Sequence, residues 1–182
     1  MRVIAGVYRS RNIQTLAGKQ TRPTSDKVRG AVFSSINNCF FDGHVLDVFC
    51  GSGAIALEAL SRGAKRVDAI ECHNGALQVI KRNMESLHIH EEMKVYASDY
   101  TIALEQLKTK RYAFIYIDPP YAFEDIKHIL LWIDKHHMLL KGGIMVVESG
   151  DNVWEEASYQ SFKQYKEKNY RKTKLTFYKG GE

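Results

Sequence analysis

The sequence is poor in cysteine and proline, and it contains no long hydrophobic run. Its three cysteines, Cys39, Cys50 and Cys72, form no CxxC pair, which argues against a zinc site or a disulfide framework and favours a reducing compartment. No stretch approaches the roughly eighteen apolar residues of a membrane span. The N-terminal residues MRVIAGVYRSRN lack the apolar core of a secretion signal. We therefore expect a cytoplasmic protein with no metal ion and no membrane partner.

Linker-like segments are lacking as well. Only three prolines occur in 182 residues, and none lies in a stretch that resembles a linker. Hydrophobic residues make up 45% of the chain and charged residues 26%, which is typical of an ordinary globular domain. We expect one domain over residues 1–182, with an N-terminal β-hairpin extension over 1–24 and the main body over 25–182. Because no second apolar face is evident, we expect a monomer.

Short apolar strands alternate with amphipathic helices from residue 44 onward. This alternation predicts βαβ units, and hence a parallel sheet with helices on both faces. Residues 158–179 alternate Tyr, Phe and Thr without an intervening helix, so we expect an antiparallel pair at the edge of the sheet. Before the alternating region, Val28, Val32 and Ile36 have the spacing of a buried helical stripe.

Positive charge is concentrated at the two ends of the chain. Residues 1–30 and residues 163–179 each contain seven Lys or Arg and one acid, whereas the remainder is net negative. Tyrosines are interleaved with the basic residues at both ends. This mixture favours contact with a nucleic acid, although two solvated surfaces would have the same composition.

A glycine-containing turn follows the first predicted strand, in the segment DVFCGSGAIA. Gly51 and Gly53 let the backbone approach a ligand closely, and the helix that follows presents unpaired N–H groups. The pattern Gly51-x-Gly53-x-x-Ala56 also fits a dinucleotide-binding turn. The glycines alone therefore leave the ligand open.

Three acids near this turn distinguish between the ligands. Asp47 lies within the first strand, Glu71 ends the second and Asp99 follows the third, so all three converge on the crevice where such sheets bind ligands. Glu71 can accept two ribose hydroxyls, and Asp99 can accept an adenine amine. Asp47 would repel a pyrophosphate but suits the sulfonium and ammonium of S-adenosylmethionine. We therefore predict an S-adenosylmethionine site, which also includes the neighbours Phe49, Ser52, Cys72 and Tyr100.

The segment IDPPY follows the fourth strand at the same end of the sheet. Prolines fix φ and donate no hydrogen bond, so Pro119 and Pro120 form a stiff corner whose carbonyls can face a pocket. The Asp118 carboxylate and the Pro119 carbonyl are then two acceptors that match the two hydrogens of an exocyclic amine. Tyr121 can stack on the base that carries this amine, worth roughly 1–3 kcal/mol. Alternatively, the segment is only a tight turn after the strand, and Tyr121 is a core residue.

The segments LDVFCGSG, DAIE and IDPPY resemble class I S-adenosylmethionine-dependent methyltransferases that act on amino groups. RVIAG, RSRNI and TRPTSDKVRGAVFSSI are similar to the N-terminal signature of the bacterial small-subunit rRNA guanine-N2 methyltransferases, the RsmD family. This resemblance implies an α/β, Rossmann-like fold whose seven-stranded, mostly parallel sheet ends in a reversed hairpin. It also implies methylation of the N2 amine of one guanine in 16S rRNA, as free RNA or in the assembling small ribosomal subunit.

The resemblance turns the basic N-terminal region into a candidate RNA surface. We expect RNA contacts from six residues, namely Arg2, Arg9, Arg11, Arg22, Thr24 and Arg29. Arg22 and Thr24 could instead contact the carboxylate of the cofactor, or form the turn that begins the first helix. If these residues steer RNA electrostatically, binding should weaken steeply with salt.

Other functions remain as alternatives. The DPPY motif is shared with DNA adenine and cytosine amino-methyltransferases, although a chain of 182 residues leaves little room to read a DNA target. Protein-glutamine methyltransferases carry Asn-Pro-Pro-Tyr, whereas position 118 is Asp. A third alternative is an RNA-binding module that retains the fold without catalysis, against which the intact acids argue.

Overall fold

The computed structural model describes residues 1–16, 26–37, 39–120, 123–150, 158–171 and 173–181. Within these ranges the helices and strands alternate as the sequence predicts. In chain order they are α1 (Asp26–Ile36), β1 (His44–Val48), α2 (Ala54–Ser61), β2 (Arg66–Glu71), α3 (Asn74–Ser86), β3 (Met93–Ala97), α4 (Tyr100–Leu107), β4 (Tyr112–Ile117), α5 (Ile126–Lys135), β5 (Leu139–Ser149), β6 (Phe162–Tyr170) and β7 (Thr173–Gly180).

The seven strands form one sheet in the order β3-β2-β1-β4-β5-β7-β6. β1 to β5 are parallel to one another, and β7 runs antiparallel to both β5 and β6. The predicted Rossmann-like sheet with a reversed C-terminal hairpin is thus confirmed. Because the parallel strands all end on the same side, the segments that follow them share one crevice, called here the carboxyl end of the sheet.

Helices cover both faces of the sheet, and each face has its own apolar core. One core packs α1, α2 and α3 against alternate strand residues such as Val45 and Phe114. The other packs α4 and α5 against the intervening residues, such as Leu46 and Ile115. Successive strand side chains point to opposite faces, so central strands with both faces covered need nearly continuous apolar sequence.

The N-terminal residues pair antiparallel, but less regularly than the predicted hairpin. Arg2 and Asn12 form an isolated bridge, and Val3 N donates to Arg11 O at 3.0 Å. Val3 and Ile13 are buried in the same core as α1 and α2. Residues 1–16 therefore share the core of the main body.

This N-terminal segment is attached to α2 mainly through its backbone. The N–H groups of Ile4 and Ala5 donate to the two carboxylate oxygens of Glu58 at 2.7 and 3.0 Å. Tyr8 N donates to the Ser61 hydroxyl at 2.9 Å. These bonds satisfy backbone donors that no regular strand pairing would satisfy.

Arg29 is buried in α1, and this corrects its expected place among the RNA contacts. Its side chain is 0% exposed, with Nε 3.5 Å from the equally buried Glu58 carboxylate. The guanidinium also lies 3.1 Å from Asp26 and donates to Arg2 O. Buried charges need such partners, so Arg29 fixes the N-terminal segment against α1 and α2 and is not available to RNA.

No helix in the described ranges is both long and apolar enough to span a bilayer. In the same ranges, no group of three His, Cys, Asp or Glu side chains is placed to hold a metal ion. Cys39, Cys50 and Cys72 are free thiols.

Candidate active site

The loop after β1 is held against the end of β2 by the Glu71 carboxylate. One carboxylate oxygen of Glu71 accepts from Gly51 N at 2.8 Å. The other accepts from Cys72 N at 2.9 Å and His73 N at 2.8 Å. Three backbone donors thus fix this acid beside the glycine turn and use three of its roughly four acceptor positions, so that Oε2 keeps one for a ligand at the carboxyl end of the sheet.

The glycine turn has a left-handed backbone that leaves room for a ligand. Phe49, Gly51 and Gly53 have φ values of 67°, 54° and 80°, a region that favours glycine. A Cβ on Gly53 would meet the Ile80 side chain at 2.8 Å, whereas a Cβ on Gly51 would meet nothing within 4 Å. Gly53 therefore serves close packing of α3, and the space beside Gly51 is open to a ligand.

Asp47 acts from within β1 as the acceptor for the start of α2. The N-cap residue of α2 is Gly53, which has no side chain to cap the helix, and Asp47 Oδ2 accepts from Ala56 N at 3.1 Å. Asp47 is only 1% exposed. This burial, with a smaller contribution from the negative charge of Glu71, raises the pKa of Asp47 to about 8. At neutral pH the carboxyl therefore holds a proton unless a cation approaches it.

Asn83 is a buried polar residue of α3 that the sequence analysis missed. Its Oδ1 accepts from Gln14 N at 2.7 Å, and its Nδ2 donates to Gln14 O at 3.0 Å and Ser52 O at 2.9 Å. It therefore connects the N-terminal segment to the glycine turn. An amide in an otherwise amphipathic helix gives no signal for this role, because both partners are backbone groups distant in sequence.

Asp99 caps α4 at the same end of the sheet. Its Oδ1 accepts from Thr101 N at 2.9 Å and from the Thr101 hydroxyl at 2.6 Å. These bonds, led by the one from the hydroxyl, lower the pKa of Asp99. The side chain is therefore an ionised acceptor at the position predicted for an adenine amine.

Three aromatic rings connect the segments around this site. The ring centroids of Phe49 and Tyr100 are 5.5 Å apart, and Phe123 lies 5.2 Å from Phe49 and 5.4 Å from Tyr100. Tyr100 also donates its hydroxyl to Asp125 at 3.3 Å. Phe123 was missed in the sequence, where its only signal is an aromatic residue shortly after the proline corner. The ring cluster joins the loop after β1, the start of α4 and the segment after β4.

The proline corner lies next to the end of β1. Asp118 N approaches Val48 O at 3.4 Å, which extends the β1–β4 pairing by one step, and Phe123 N donates to Pro120 O at 3.2 Å. Asp118 and Pro119 are partly buried, and Pro120 is exposed. The predicted partner Tyr121 lies outside the described residues.

The predicted RNA contacts are only partly brought together. Arg2, Arg9 and Arg11 are exposed on the N-terminal segment, and Arg11 Nη2 donates to Ser86 O at 2.8 Å near the end of α3. Arg22 and Thr24 lie outside the described residues.

The described residues fit a ligand that combines positive charge with a ribose and a base. The open space beside Gly51 is flanked by Glu71, which is fixed by three N–H groups, and by the buried Asp47. A pyrophosphate there would face the Glu71 carboxylate and gain nothing from a neutral Asp47, whereas a cation would favour ionisation of Asp47 and pair with both acids. The chemistry of the site therefore suits S-adenosylmethionine better than a dinucleotide.

Known proteins resemble this chain over nearly its full length. A family model described as "Conserved hypothetical protein 95" matches residues 1–179. The chain is 34% identical over 181 residues to "Putative rRNA methyltransferase YlbH" of Bacillus subtilis, which covers 98% of both chains. It is 26% identical over 151 residues to "Ribosomal RNA small subunit methyltransferase D" of Haemophilus influenzae, which covers 82% of this chain and 78% of the relative.

A solved structure supports the same relationship. The structure described as "Putative methyltransferase yhhF from Escherichia coli" superposes with a TM-score of 0.88 at 26% identity, over 100% of this chain and 98% of the other. The expected class I methyltransferase fold is thereby confirmed.

Proposed function

The chain belongs to the family described as conserved hypothetical protein 95, and on that premise we propose that it uses S-adenosylmethionine to methylate a guanine N2 amine in 16S rRNA. The RNA is either free or part of an assembling small ribosomal subunit. The names of the relatives from Bacillus subtilis and Haemophilus influenzae support rRNA as the substrate class. The choice of the guanine N2 amine rests on the resemblance of the N-terminal signature and on the chemistry of the corner at Asp118.

The observation that carries this proposal is the position of that corner. The contact of Asp118 N with Val48 O at 3.4 Å supports the proposal, because it brings the backbone of the corner alongside the strand that leads into the glycine turn. In our proposal the Asp118 carboxylate and the Pro119 carbonyl face the ligand from there. A methyl donor in the turn and an amine at the corner would then be neighbours. Such alignment converts a bimolecular step into an effectively unimolecular one.

The cofactor would be held by the acids of the first three strands. Glu71 would accept a ribose hydroxyl at the position that its three backbone donors leave free. Asp99 would accept the adenine amine, and Asp47 would ionise beside the positive charge of the ligand. Phe49 and Tyr100 would border the base through the ring cluster. Bound S-adenosylmethionine supplies an electrophilic methyl group on a positively charged sulfur.

The corner residues would activate the amine. Its lone pair is delocalised into the guanine ring, and acceptance of its hydrogens by Asp118 and the Pro119 carbonyl localises that pair on nitrogen. The N–C bond would form as the C–S bond to the methyl group breaks, with the sulfur keeping the bonding pair and leaving as a neutral thioether. The surplus proton on nitrogen would then pass to the Asp118 carboxylate and on to water. A preorganised electrostatic partner of this kind contributes about 10²–10³ in rate, or roughly 3–4 kcal/mol.

The target base must leave its stack to reach the corner, which costs a few kcal/mol. In our proposal Tyr121 recovers part of this cost by stacking on the base. Arg2, Arg9 and Arg11 hold the RNA backbone, and Arg22 and Thr24 contact either the RNA or the cofactor.

The test is a methylation assay with labelled S-adenosylmethionine on three substrates: 16S rRNA, small ribosomal subunits and duplex DNA. Mass mapping of the labelled product then identifies the modified base. Asp118→Ala is compared with Glu124→Ala, which removes an exposed acid two residues before α5. We expect Asp118→Ala to lower kcat at least 10²-fold with unchanged affinity for S-adenosylmethionine in calorimetry, and Glu124→Ala to behave as wild type.

Two results would contradict the proposal. Label in DNA and not in RNA would identify a DNA amino-methyltransferase. A near wild-type rate for Asp118→Ala would remove the role of the corner, even if the RNA were methylated.

A further inference from the structure

The outermost strand, β6, carries lysines on the face that looks toward α1. Lys166 pairs with Phe177 and Lys168 with Leu175 across the β6–β7 ladder, and residues paired in this way lie on the same face. Leu175 and Phe177 belong to the core beneath α1. The lysines opposite them therefore lie on the α1 side of the sheet, where Lys163 and Lys179, another directly opposed pair, extend the same row.

The opposite face of β6 has a different character. Its residues are Gln164, Glu167 and Asn169, which pair with the α4–α5 side of β7. Lys174 on this side forms an ion pair with Glu167 at 2.8 Å. Charge that merely prevented edge-to-edge strand pairing could lie on either face. Its segregation onto one face therefore indicates a binding surface.

A bulge places an aromatic ring among these lysines. The register shifts between Gln164 and Lys166, so Tyr165 is left without a partner in the ladder. Its side chain is 46% exposed, and its ring contacts Phe177 at 6.3 Å between centroids. Aromatic rings between cations are typical of surfaces that bind nucleic acids.

The fold brings this strand to the same side of the sheet as the N-terminal segment. Lys168 Nζ donates to the Ser35 hydroxyl of α1 at 2.8 Å. Val3 and Ile13 of the N-terminal segment are buried in the core that α1 covers. The two basic ends of the sequence, separated by an acidic middle, thus lie on one side of the molecule.

The turn between β6 and β7 lies at the same end of the sheet as the proposed catalytic corner. Ser149, the last residue of β5, pairs with Lys174, so the β6–β7 turn with Arg171 is at the carboxyl end of the sheet. A polyanion lying along β6 would therefore reach the end of the sheet that holds Asp118.

We propose that the β6 basic face, formed by Lys163, Tyr165, Lys166 and Lys179, binds the phosphate backbone of the RNA that is methylated. This inference rests on the proposed function and extends the RNA surface beyond the N-terminal arginines. Lysines contact phosphates as point charges and carry no base sequence information. The β6 basic face therefore contributes affinity and orientation, and the choice of base stays with the catalytic corner.

The experiment compares two triple variants that lose equal charge. The test variant, Lys163→Gln/Lys166→Gln/Lys179→Gln, neutralises the β6 basic face. The control variant, Lys94→Gln/Arg111→Gln/Lys135→Gln, neutralises three cations on the α4–α5 side. Affinity for a 16S rRNA fragment is measured over a series of salt concentrations. Each lost phosphate contact lowers the slope of log K against log salt by about 0.7–0.9. We expect the slope to fall by about 2–3 in the test variant and to stay unchanged in the control.

Two further measurements separate the β6 basic face from folding and from the proposed function. The Lys→Arg triple variant at the same three positions keeps the charge and should bind RNA as wild type does. Affinity for S-adenosylmethionine should be unchanged in every variant. If the test and control variants change the slope equally, or not at all, while rRNA is still methylated, this inference is overturned and the proposed function stands. If wild-type protein neither binds nor methylates rRNA, both are overturned.

Discussion

The buried carboxyl of Asp47 makes the stability of the ligand-free protein depend on pH. Its pKa is about 8 in the folded chain, against a usual value of 3.8, because the side chain is removed from water inside β1. The folded state therefore keeps a proton that the unfolded chain releases. Between these two values the free energy of unfolding falls as pH rises, by about 1.4 kcal/mol per pH unit, and above about pH 8 this loss is complete.

Asp47→Asn tests this reasoning, because an amide keeps an oxygen for Ala56 N but cannot ionise. Urea unfolding of both proteins at pH 5, 6 and 7 gives the difference between them, in which the titrations of other groups cancel. We expect the variant to gain about 2–3 kcal/mol relative to wild type between pH 5 and pH 7. Asp99→Asn is the control. The pKa of Asp99 is lowered by its bonds to Thr101, so its contribution is constant over this range and is lost only at lower pH.

Wild-type and Asp47→Asn profiles that stay parallel from pH 5 to pH 7 would show that Asp47 does not hold a proton in the folded chain. The same variant should bind S-adenosylmethionine more weakly in calorimetry, since a neutral amide cannot pair with a cation. A smaller loss of stability with rising pH and weaker ligand binding would then arise from one substitution.

Two further substitutions test the ring cluster and the buried ion pair. Phe123→Ala removes two ring contacts, so the free energy of unfolding should fall by about 1–3 kcal/mol. Turnover should also fall in Phe123→Ala, whereas Phe123→Tyr should be close to wild type in both assays. Full activity of the alanine variant would contradict the role of Phe123 in joining the loops around the site. Arg29→Met leaves the buried Glu58 with fewer partners. The free energy of unfolding, measured in urea, should fall by about 3–5 kcal/mol. RNA affinity below the melting temperature should stay unchanged. Weaker RNA binding with unchanged stability would instead identify Arg29 as an RNA contact.

The fold could be predicted from the sequence because its pattern is local. Strands such as Tyr112–Ile117 are almost wholly apolar, and the helices between them have one apolar face, so the alternation alone gives a parallel sheet covered on both sides. The reversed hairpin followed in the same way from a stretch without an intervening helix. The N-terminal segment was less predictable, because the backbone N–H groups of Ile4, Ala5 and Tyr8 bond to side chains of α2 and not to a partner strand.

The candidate site residues also differ in whether a local sequence pattern reveals them. The places of Asp47, Glu71 and Asp99 in or after their strands could be predicted, because an acid at a strand is visible in one sequence, and their role toward a cofactor remains a proposal. The role of Phe123 could not be predicted, because it depends on contacts of its ring with Phe49 and Tyr100 in two other segments. Arg29 was assigned to the surface because charge at the chain end says nothing about burial, whereas its partner Glu58 is twenty-nine residues away in sequence.

Main-chain attachment of the N-terminal segment leaves its exposed side chains free to diverge, whereas Val3 and Ile13 are fixed by the core. Ile4, Ala5, Val7 and Tyr8 are held through their N–H groups, and every residue except proline offers that group. Substitutions at neighbouring exposed positions such as Arg9 can therefore change what the segment touches without detaching it. An ancestral enzyme of this shape could acquire a new RNA target through mutations in this segment while its methyl-transfer chemistry stayed the same.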